Sequence, residues 1–344
     1  MADAVSPRAV AAASWSLVKP RIVGLLLLTG LSGALAAGGP PMATLVAFVI
    51  AGAATAGGAA ALNCYYDREL DRHMARTADR PLPRGALPGW AGLALGGGLL
   101  GLGTLVGWRW LPSASLAYML LGVFAYVGLY TVGLKRRTPW ATPIGGLAGA
   151  FPVLAGWAAV EPVGPAAVGL AVLVVAWTPA HAWALAHVYR EEFRAAGVPT
   201  LPAVGSASRV RRSVWRWALL TAGMAALAVP LAGPLYAGAL AGGLGPYLIA
   251  FRRFRTEGTE PTAVRAFFSA NLFLAVLFVG WAAGGLVGAV SLPAAAAVAL
   301  GVTTLFLGLW VARPSLRGVE AAAGDGSAAL ERLRSRVRPR AVDG

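Results

Sequence analysis

Ten stretches of this chain are apolar over lengths that suit membrane-crossing helices: about 21–38, 41–63, 88–108, 112–134, 141–160, 165–188, 214–232, 235–251, 266–289 and 293–312. Nothing else in the sequence limits the fold so tightly. In hydrocarbon each backbone N–H and C=O must be satisfied within the protein, and a helix does this segment by segment. The stretch 235–251 is the shortest and is rich in glycine. Internal glycine and proline are compatible with such helices, since small residues allow close packing and neighbouring helices satisfy freed backbone groups. Only 12% of the 344 residues are charged, about half the share found in soluble domains, which excludes a large soluble core. The expected fold is an all-α, polytopic membrane helix bundle.

The cations are distributed unevenly. With the N-terminus on the cytoplasmic side and ten crossings, 28 of the 29 lysines and arginines fall on that side and only Arg109 falls on the other. This asymmetry predicts a cell-membrane, multi-pass protein with both termini cytoplasmic. The formal net charge of +15 is thereby explained by topology, anionic headgroups and an acidic substrate, so nucleic acid is not expected as a partner. Residues 1–20 read as a cytoplasmic arm without a compact signal-like core, and residues 313–344 as a basic tail, disordered or headgroup-bound. The single cysteine, Cys64, excludes an internal disulfide and reads as a packing residue.

Against this background the run Asn63–Arg84, NCYYDRELDRHMARTADRPLPR, concentrates four acids and five arginines at the end of an apolar segment. Asn63, Asp67 and Asp71 lie at i, i+4 and i+8, drifting about 40° per step on a helix, so their oxygens share one face. Carboxylates at the end of a membrane helix are costly unless paired or holding a cation. Oxygen ligands suit Mg²⁺, which completes its shell with water and substrate phosphates. The spacing therefore predicts a Mg²⁺–diphosphate site, against the plainer reading of a solvated, mixed-charge loop. A second polar cluster, His181, His187, Tyr189, Arg190, Glu191, Glu192 and Arg194, is expected on the same membrane face. Setting Asn63 over His187 places Asp67 over Glu191, a short internal echo. His181, two residues after Pro179 in an apolar run, is expected to face a cavity, with a satisfied core histidine as the competing reading.

NCYYDRELD followed by MARTADRPLPRG resembles the first signature of the UbiA superfamily of intramembrane prenyltransferases. LVKPRIVGLLLLTGLSGAL, LKRRTPWATPIGGLAGAFPVLAGWAA and WTPAHAWALAHVYREEFRAAGVPTLP resemble, more closely, its protohaem IX-farnesylating branch. The resemblance covers about residues 17–290 and implies nine membrane helices around a cavity open toward the cytoplasm. The domain is then 21–290, with 291–312 as an additional, tenth helix. It also implies Mg²⁺-dependent transfer of a farnesyl group from farnesyl diphosphate to a vinyl group of haem B, giving haem O. Hand-over of the product to a haem A synthase or to terminal oxidase assembly would follow.

Matched position by position, Asn63, Asp67 and Asp71 correspond to the metal–diphosphate motif, Arg76 and Arg80 to basic residues after it, and Lys135, Arg136 and Arg137 to a basic loop near the diphosphate. Asp67, Asp71, Lys135 and Arg136 are the expected catalytic residues. Asn63, Arg76, Arg80, His181, Tyr189, Arg190, Glu191 and Glu192 are expected to bind substrate, with His181 beside the haem. Asn63, Asp67, Asp71 and Glu192 are the expected metal ligands. The chain departs from the family in having Glu192-Phe193 where Asp-Tyr is usual, leaving Glu191 and Glu192 both open as the second acid. Gly145, Gly146 and Gly149, facing His181 and Trp183, are expected to leave a flat slot for a macrocycle. A prenyltransferase acting on a quinone precursor and a polytopic transporter are the alternatives, the latter disfavoured because the acids cluster at helix ends.

Overall fold

The computed structural model describes residues 7–287 and 291–311, and all regular structure among them is helical. In chain order the helices are α1 (Pro7–Leu17), α2 (Pro20–Ala36), α3 (Met42–Asp71), α4 (Gly89–Trp110), α5 (Ser113–Leu134), α6 (Ala141–Gly145), α7 (Leu147–Trp157) and α8 (Pro165–Val188). They continue with α9 (Arg190–Ala195), α10 (Leu201–Val204), α11 (Ala207–Leu227), α12 (Val229–Glu257), α13 (Glu260–Val287) and α14 (Leu292–Val311).

Each of the ten apolar segments carries a helix, and the departures have local causes. The segment 141–160 divides into α6 and α7 at Gly146. Helix α11 begins at Ala207, inside an arginine-rich stretch, because the Ser206 hydroxyl caps it by accepting from the Arg209 N–H at 3.4 Å. Helix α12 is broken at Gly233, where a φ of 79° is a conformation glycine adopts without strain. Among the described residues, α3, α4, α5, α8, α12 and α13 are each long and apolar enough to cross a membrane, and α1 with α2, bent by 43°, makes a seventh candidate. The segments 141–160, 214–232 and 293–312 are helical but shorter, broken or charged. The predicted tail, 313–344, lies outside the described residues.

The helices form two groups joined side by side. Helix α3 runs along α4, while α12 packs along α13 and α14; α2 packs on both α7 and α13, and α7 on α8, closing the bundle. Small residues set how close these helices come. A Cβ on Gly58 of α3 would meet the Gly96 carbonyl of α4 at 2.8 Å, and one on Gly156 of α7 would collide with the Gly30 carbonyl of α2. Such approaches bring whole backbones into van der Waals contact, the main packing force available where lipid is as apolar as the side chains. The largest apolar core joins α7, α8, α11, α12 and α13 through Val153, Leu170, Tyr247, Phe251 and Phe273.

Two features position the site. Helix α3 has 30 residues, about 45 Å at the usual rise, so it outruns a hydrocarbon core of about 30 Å and carries Asn63–Asp71 beyond it. The second half of α5, Phe124–Leu134, is π-helical, so its backbone pairs five residues apart, as in the Lys135 N–H to Tyr130 carbonyl bond of 2.8 Å. π-Helical turns are rare and concentrate at functional sites. Here the altered register turns Thr131 and Lys135 toward the end of α3.

Candidate active site

Asn63, Asp67 and Asp71 share one face of α3, as their spacing predicts, and all three are buried. They are held by a chain of polar contacts. The Lys19 ammonium donates to Asn63 Oδ1 at 2.6 Å, and Asn63 Nδ2 donates to Asp67 Oδ2 at 2.8 Å and to Thr131 Oγ1 at 3.1 Å. Lys135 Nζ donates to Asp67 Oδ2 at 2.5 Å, and the Arg136 guanidinium lies 3.5 Å from Asp67 Oδ1 while donating to the Tyr66 carbonyl at 2.8 Å. Arg80 donates to Asp71 Oδ2 at 2.8 Å, and Thr77 ties the following loop to the Asp71 carbonyl at 3.0 Å. Burial works against the Arg80 charge, but the Asp71 carboxylate more than restores it, so the Arg80 pKa is raised.

The solvated-loop reading does not describe this arrangement. Asp67 and Asp71 are 1% and 3% exposed, whereas Glu69 on the other face of the helix pairs with Arg72 at an exposed surface.

Arg76 joins the two polar clusters. Its guanidinium lies over the rings of Tyr189 at 5.6 Å and Phe193 at 5.3 Å, and its Nε is buried with no hydrogen-bond partner among the described residues. Burial, reinforced by Arg80, lowers the Arg76 pKa, and the Glu192 carboxylate opposes that shift. Glu192 and Tyr189 are thus brought toward the acid site through Arg76. Glu191 and Arg190 are not. Glu191 is exposed and pairs with Arg194 and Arg190, and Arg190 caps the His187 carbonyl at 2.8 Å and reaches Glu260 at 3.7 Å. The echo that set Glu191 over Asp67 is therefore one of sequence, since one carboxylate is exposed and the other buried.

His181 stacks between Trp177 and Phe267, with ring centroids at 4.1 and 4.5 Å, and Trp177 is fixed by donating to the Ala270 carbonyl at 2.8 Å. Its Nδ1 is buried without a hydrogen-bond partner among the described residues. The glycine slot expected beside it is closed at Gly145 and Gly146 and open only at Gly149. Cβ atoms on Gly145, Gly146 and Gly149 would meet Tyr130 at 2.7 Å, Thr178 at 3.1 Å and Val174 at 3.2 Å, so these glycines let α5 and α8 approach α6 and α7.

An apolar cavity of about 280 Å³ lies among α2, α3, α5 and α7, and Gly149 is part of its wall. Ala59 and Ala60, one turn before Asn63, line its wall with Leu27, Phe48 and Pro152, so it begins directly beneath the acids. Tyr126 stands at that junction. It lines the cavity, stacks on Tyr130, and its hydroxyl accepts from Lys19 at 3.4 Å.

Five cations, Lys19, Arg76, Arg80, Lys135 and Arg136, thus surround or adjoin two buried carboxylates. A site with such a surplus suits a polyanion. Among the described residues no group of three or more His, Cys, Asp or Glu side chains forms a metal cage, so Glu192 is not gathered with Asp67 and Asp71. Two carboxylates and an amide on one helix face still fit Mg²⁺, which takes few protein ligands and fills its shell with water and phosphate oxygens.

The sequence profile of the UbiA prenyltransferase family matches residues 25–277. The chain belongs to that family. Among proteins similar to this UbiA-family chain, the protoheme IX farnesyltransferase of Frankia casuarinae is 39% identical over 285 residues, covering 79% of this chain and 97% of that protein. The protoheme IX farnesyltransferase of a Nocardioides species is 39% identical over 293 residues, covering 81% and 92%. Among solved structures, digeranylgeranylglyceryl phosphate synthase superposes with a TM-score of 0.68 at 17% identity, covering 80% of this chain and 98% of that one. A UbiA homologue from Archaeoglobus fulgidus bound to DMAPP and Mg²⁺ gives 0.56 at 14% identity, covering 87% and 98%. These likenesses establish a UbiA-type helical membrane fold, and with the family a prenyltransferase.

The sequence reading missed three residues of this UbiA-type site: Lys19, Tyr126 and Thr131. Lys19 had a signal, since a lysine just before Pro20 interrupts an apolar stretch. Among the described residues it is the only non-glycine residue with positive φ, 50°, and that turn between α1 and α2 carries its side chain to Asn63.

Proposed function

We propose that this protein transfers a farnesyl group from farnesyl diphosphate to a vinyl group of protohaem IX, converting haem B to haem O. The observation that carries this reading is the stacking of a cation-rich, two-carboxylate cluster on an apolar cavity. That is the shape of a polar head joined to a long hydrocarbon tail. The names of the 36–39% identical relatives supply the acceptor and the farnesyl donor.

Departure of diphosphate from an allylic carbon requires neutralising the charge that grows on the bridging oxygen. Asp67 and Asp71, with Asn63 beside them, would hold Mg²⁺, which would supply part of that neutralisation as a Lewis acid. Lys135, Arg136, Arg80 and Arg76 bind and orient the phosphate oxygens, and Lys19 holds the Asn63 amide in place. The aliphatic wall below Asn63 excludes water from the allylic cation, and Tyr126 presents its ring at the mouth of that wall. The C–O bond breaks, diphosphate leaves, and the vinyl carbon forms the new C–C bond. The cation left on the substituted vinyl group is quenched by water, which loses a proton to the departing diphosphate or solvent and leaves a hydroxyl there.

His181, held between two aromatic rings with a buried Nδ1 that has no hydrogen-bond partner among the described residues, is proposed as a group on the acceptor side. The catalytic unit spans 21–290, 291–312 is an additional helix, and the active face lies toward the cytoplasm. Purified protein incubated with haem B, farnesyl diphosphate and Mg²⁺ is expected to yield a pigment heavier by one farnesyl group and one hydroxyl group, read by mass. Failure with haem but transfer to a quinone precursor would assign the acceptor to that class.

A further inference from the structure

Away from the acid cluster, a groove of about 390 Å³ lies between α11 and the loop preceding α6. Trp140, Arg209, Arg212, Ser213, Arg216 and Trp217 line it, with no acidic side chain among them. The arginines follow i, i+3 and i+7, so they form one stripe along α11. All three are exposed and make no ion pair among the described residues. Three parallel cations without counter-charge repel one another, and the charge they await is negative.

What lies below the stripe identifies the ligand. Leu219 and Leu220 follow Arg216 by three and four residues, on the same side of the helix, and are 44% and 43% exposed. Leu227, two turns further, is 69% exposed. A cationic groove is thus continuous with an apolar strip facing outward along the same helix. Trp140, 62% exposed, and Trp217 bracket the groove, and indoles favour the depth at which headgroups meet acyl chains. A soluble anion would use only the upper half of this surface. A lipid would use both.

We propose that this groove binds one anionic phospholipid, with its phosphate between Arg209, Arg212 and Arg216 and an acyl chain along Leu219, Leu220 and Leu227. The far wall of the groove is Trp140, in the loop that follows Lys135 and Arg136, the residues clasping Asp67. A bound headgroup therefore stands against the same loop that serves the active site, at the same end of the bundle.

The test uses full-length protein in detergent, examined by native mass spectrometry during titration with phosphatidylglycerol or phosphatidylcholine. One phosphatidylglycerol is expected to bind in preference to phosphatidylcholine. R212A is expected to weaken binding about five-fold and R209A/R212A/R216A about a hundred-fold, with R209K/R212K/R216K retaining most of the affinity. These side chains are exposed, and unchanged thermal unfolding of the lysine variant controls for folding. Equal binding of both lipids, or equal phosphatidylglycerol affinity in wild type and the alanine triple variant, overturns the proposal. Inorganic phosphate binding as tightly as phosphatidylglycerol would assign the groove to a free anion, and displacement of the lipid by haem B would assign it to acceptor carboxylates. Either result overturns the lipid assignment as well.

Discussion

Asp67 and Asp71 differ in how much each supports the ligand-free protein. Asp67 is met by Lys135, Arg136 and Asn63, whereas Asp71 is met by Arg80, which is itself partly exposed. Asn at either position removes a charge that the proposed metal–diphosphate complex would need, so D67N and D71N are each expected to lower turnover by at least about a hundred-fold. Only D67N leaves a largely buried lysine without its anion, and it is expected to cost about 1–3 kcal/mol of stability where D71N costs less. Turnover measured beside thermal unfolding of both variants checks this. Near-normal turnover in both would return the acids to a structural role. Lys19 acts through Asn63. K19M is expected to lower kcat/KM about ten- to a hundred-fold, with partial recovery in K19R, and lack of any effect would remove it from the site. The acid triplet was legible because its period is that of one helix face. Lys19 is marked in the sequence only as a cation interrupting an apolar stretch; its role was not legible, because it depends on a left-handed turn and on a partner 44 residues away.

At the scale of elements, the helical character of the ten apolar segments was legible because length and apolarity are properties of a segment, independent of its neighbours; that only six or seven of the described helices are long and apolar enough to cross depends on where each one breaks. The π-helical half of α5 was not legible. Its residues are ordinary apolar ones, and reading them at the α-helical period misplaces Thr131 and Lys135 relative to α3. The same limit explains the glycine slot: a glycine marks a close approach, but only the neighbouring helix shows whether a ligand or a backbone fills it. Gly58 and Gly223 provide the contrast. A Cβ at Gly58 meets the α4 backbone, whereas one at Gly223 meets nothing within 4 Å. G58A is expected to destabilise by about 1–3 kcal/mol and G223A to be neutral or stabilising by up to about 1 kcal/mol, as read from unfolding midpoints in one detergent. Equal midpoints would mean that α3 and α4 do not rely on this contact.

For the molecule as a whole, the charge partition predicts that reporters fused after Gly344 report the cytoplasm and reporters in 38–40 and 290–292 the opposite side. A C-terminal reporter on the far side would mean that one of the ten segments does not cross. Mg²⁺ with farnesyl diphosphate is expected to raise the unfolding midpoint, by mass action worth about 2.7 kcal/mol at a hundred times Kd, while farnesyl diphosphate with chelator raises it less. Equal shifts with and without chelator would argue against the metal. The polar cluster occupies the last turns of the 30-residue α3, and the apolar cavity begins one turn before it on the same helix, which by length places the cavity at hydrocarbon depth and the cluster at its edge. A donor with an anionic head and a prenyl tail therefore meets the protein in the plane of the leaflet. Its effective concentration is a mole fraction in two dimensions rather than a molarity. Diluting the donor with inert lipid at constant total concentration should slow the reaction in proportion, the surface-dilution kinetics of an enzyme fed sideways from the bilayer.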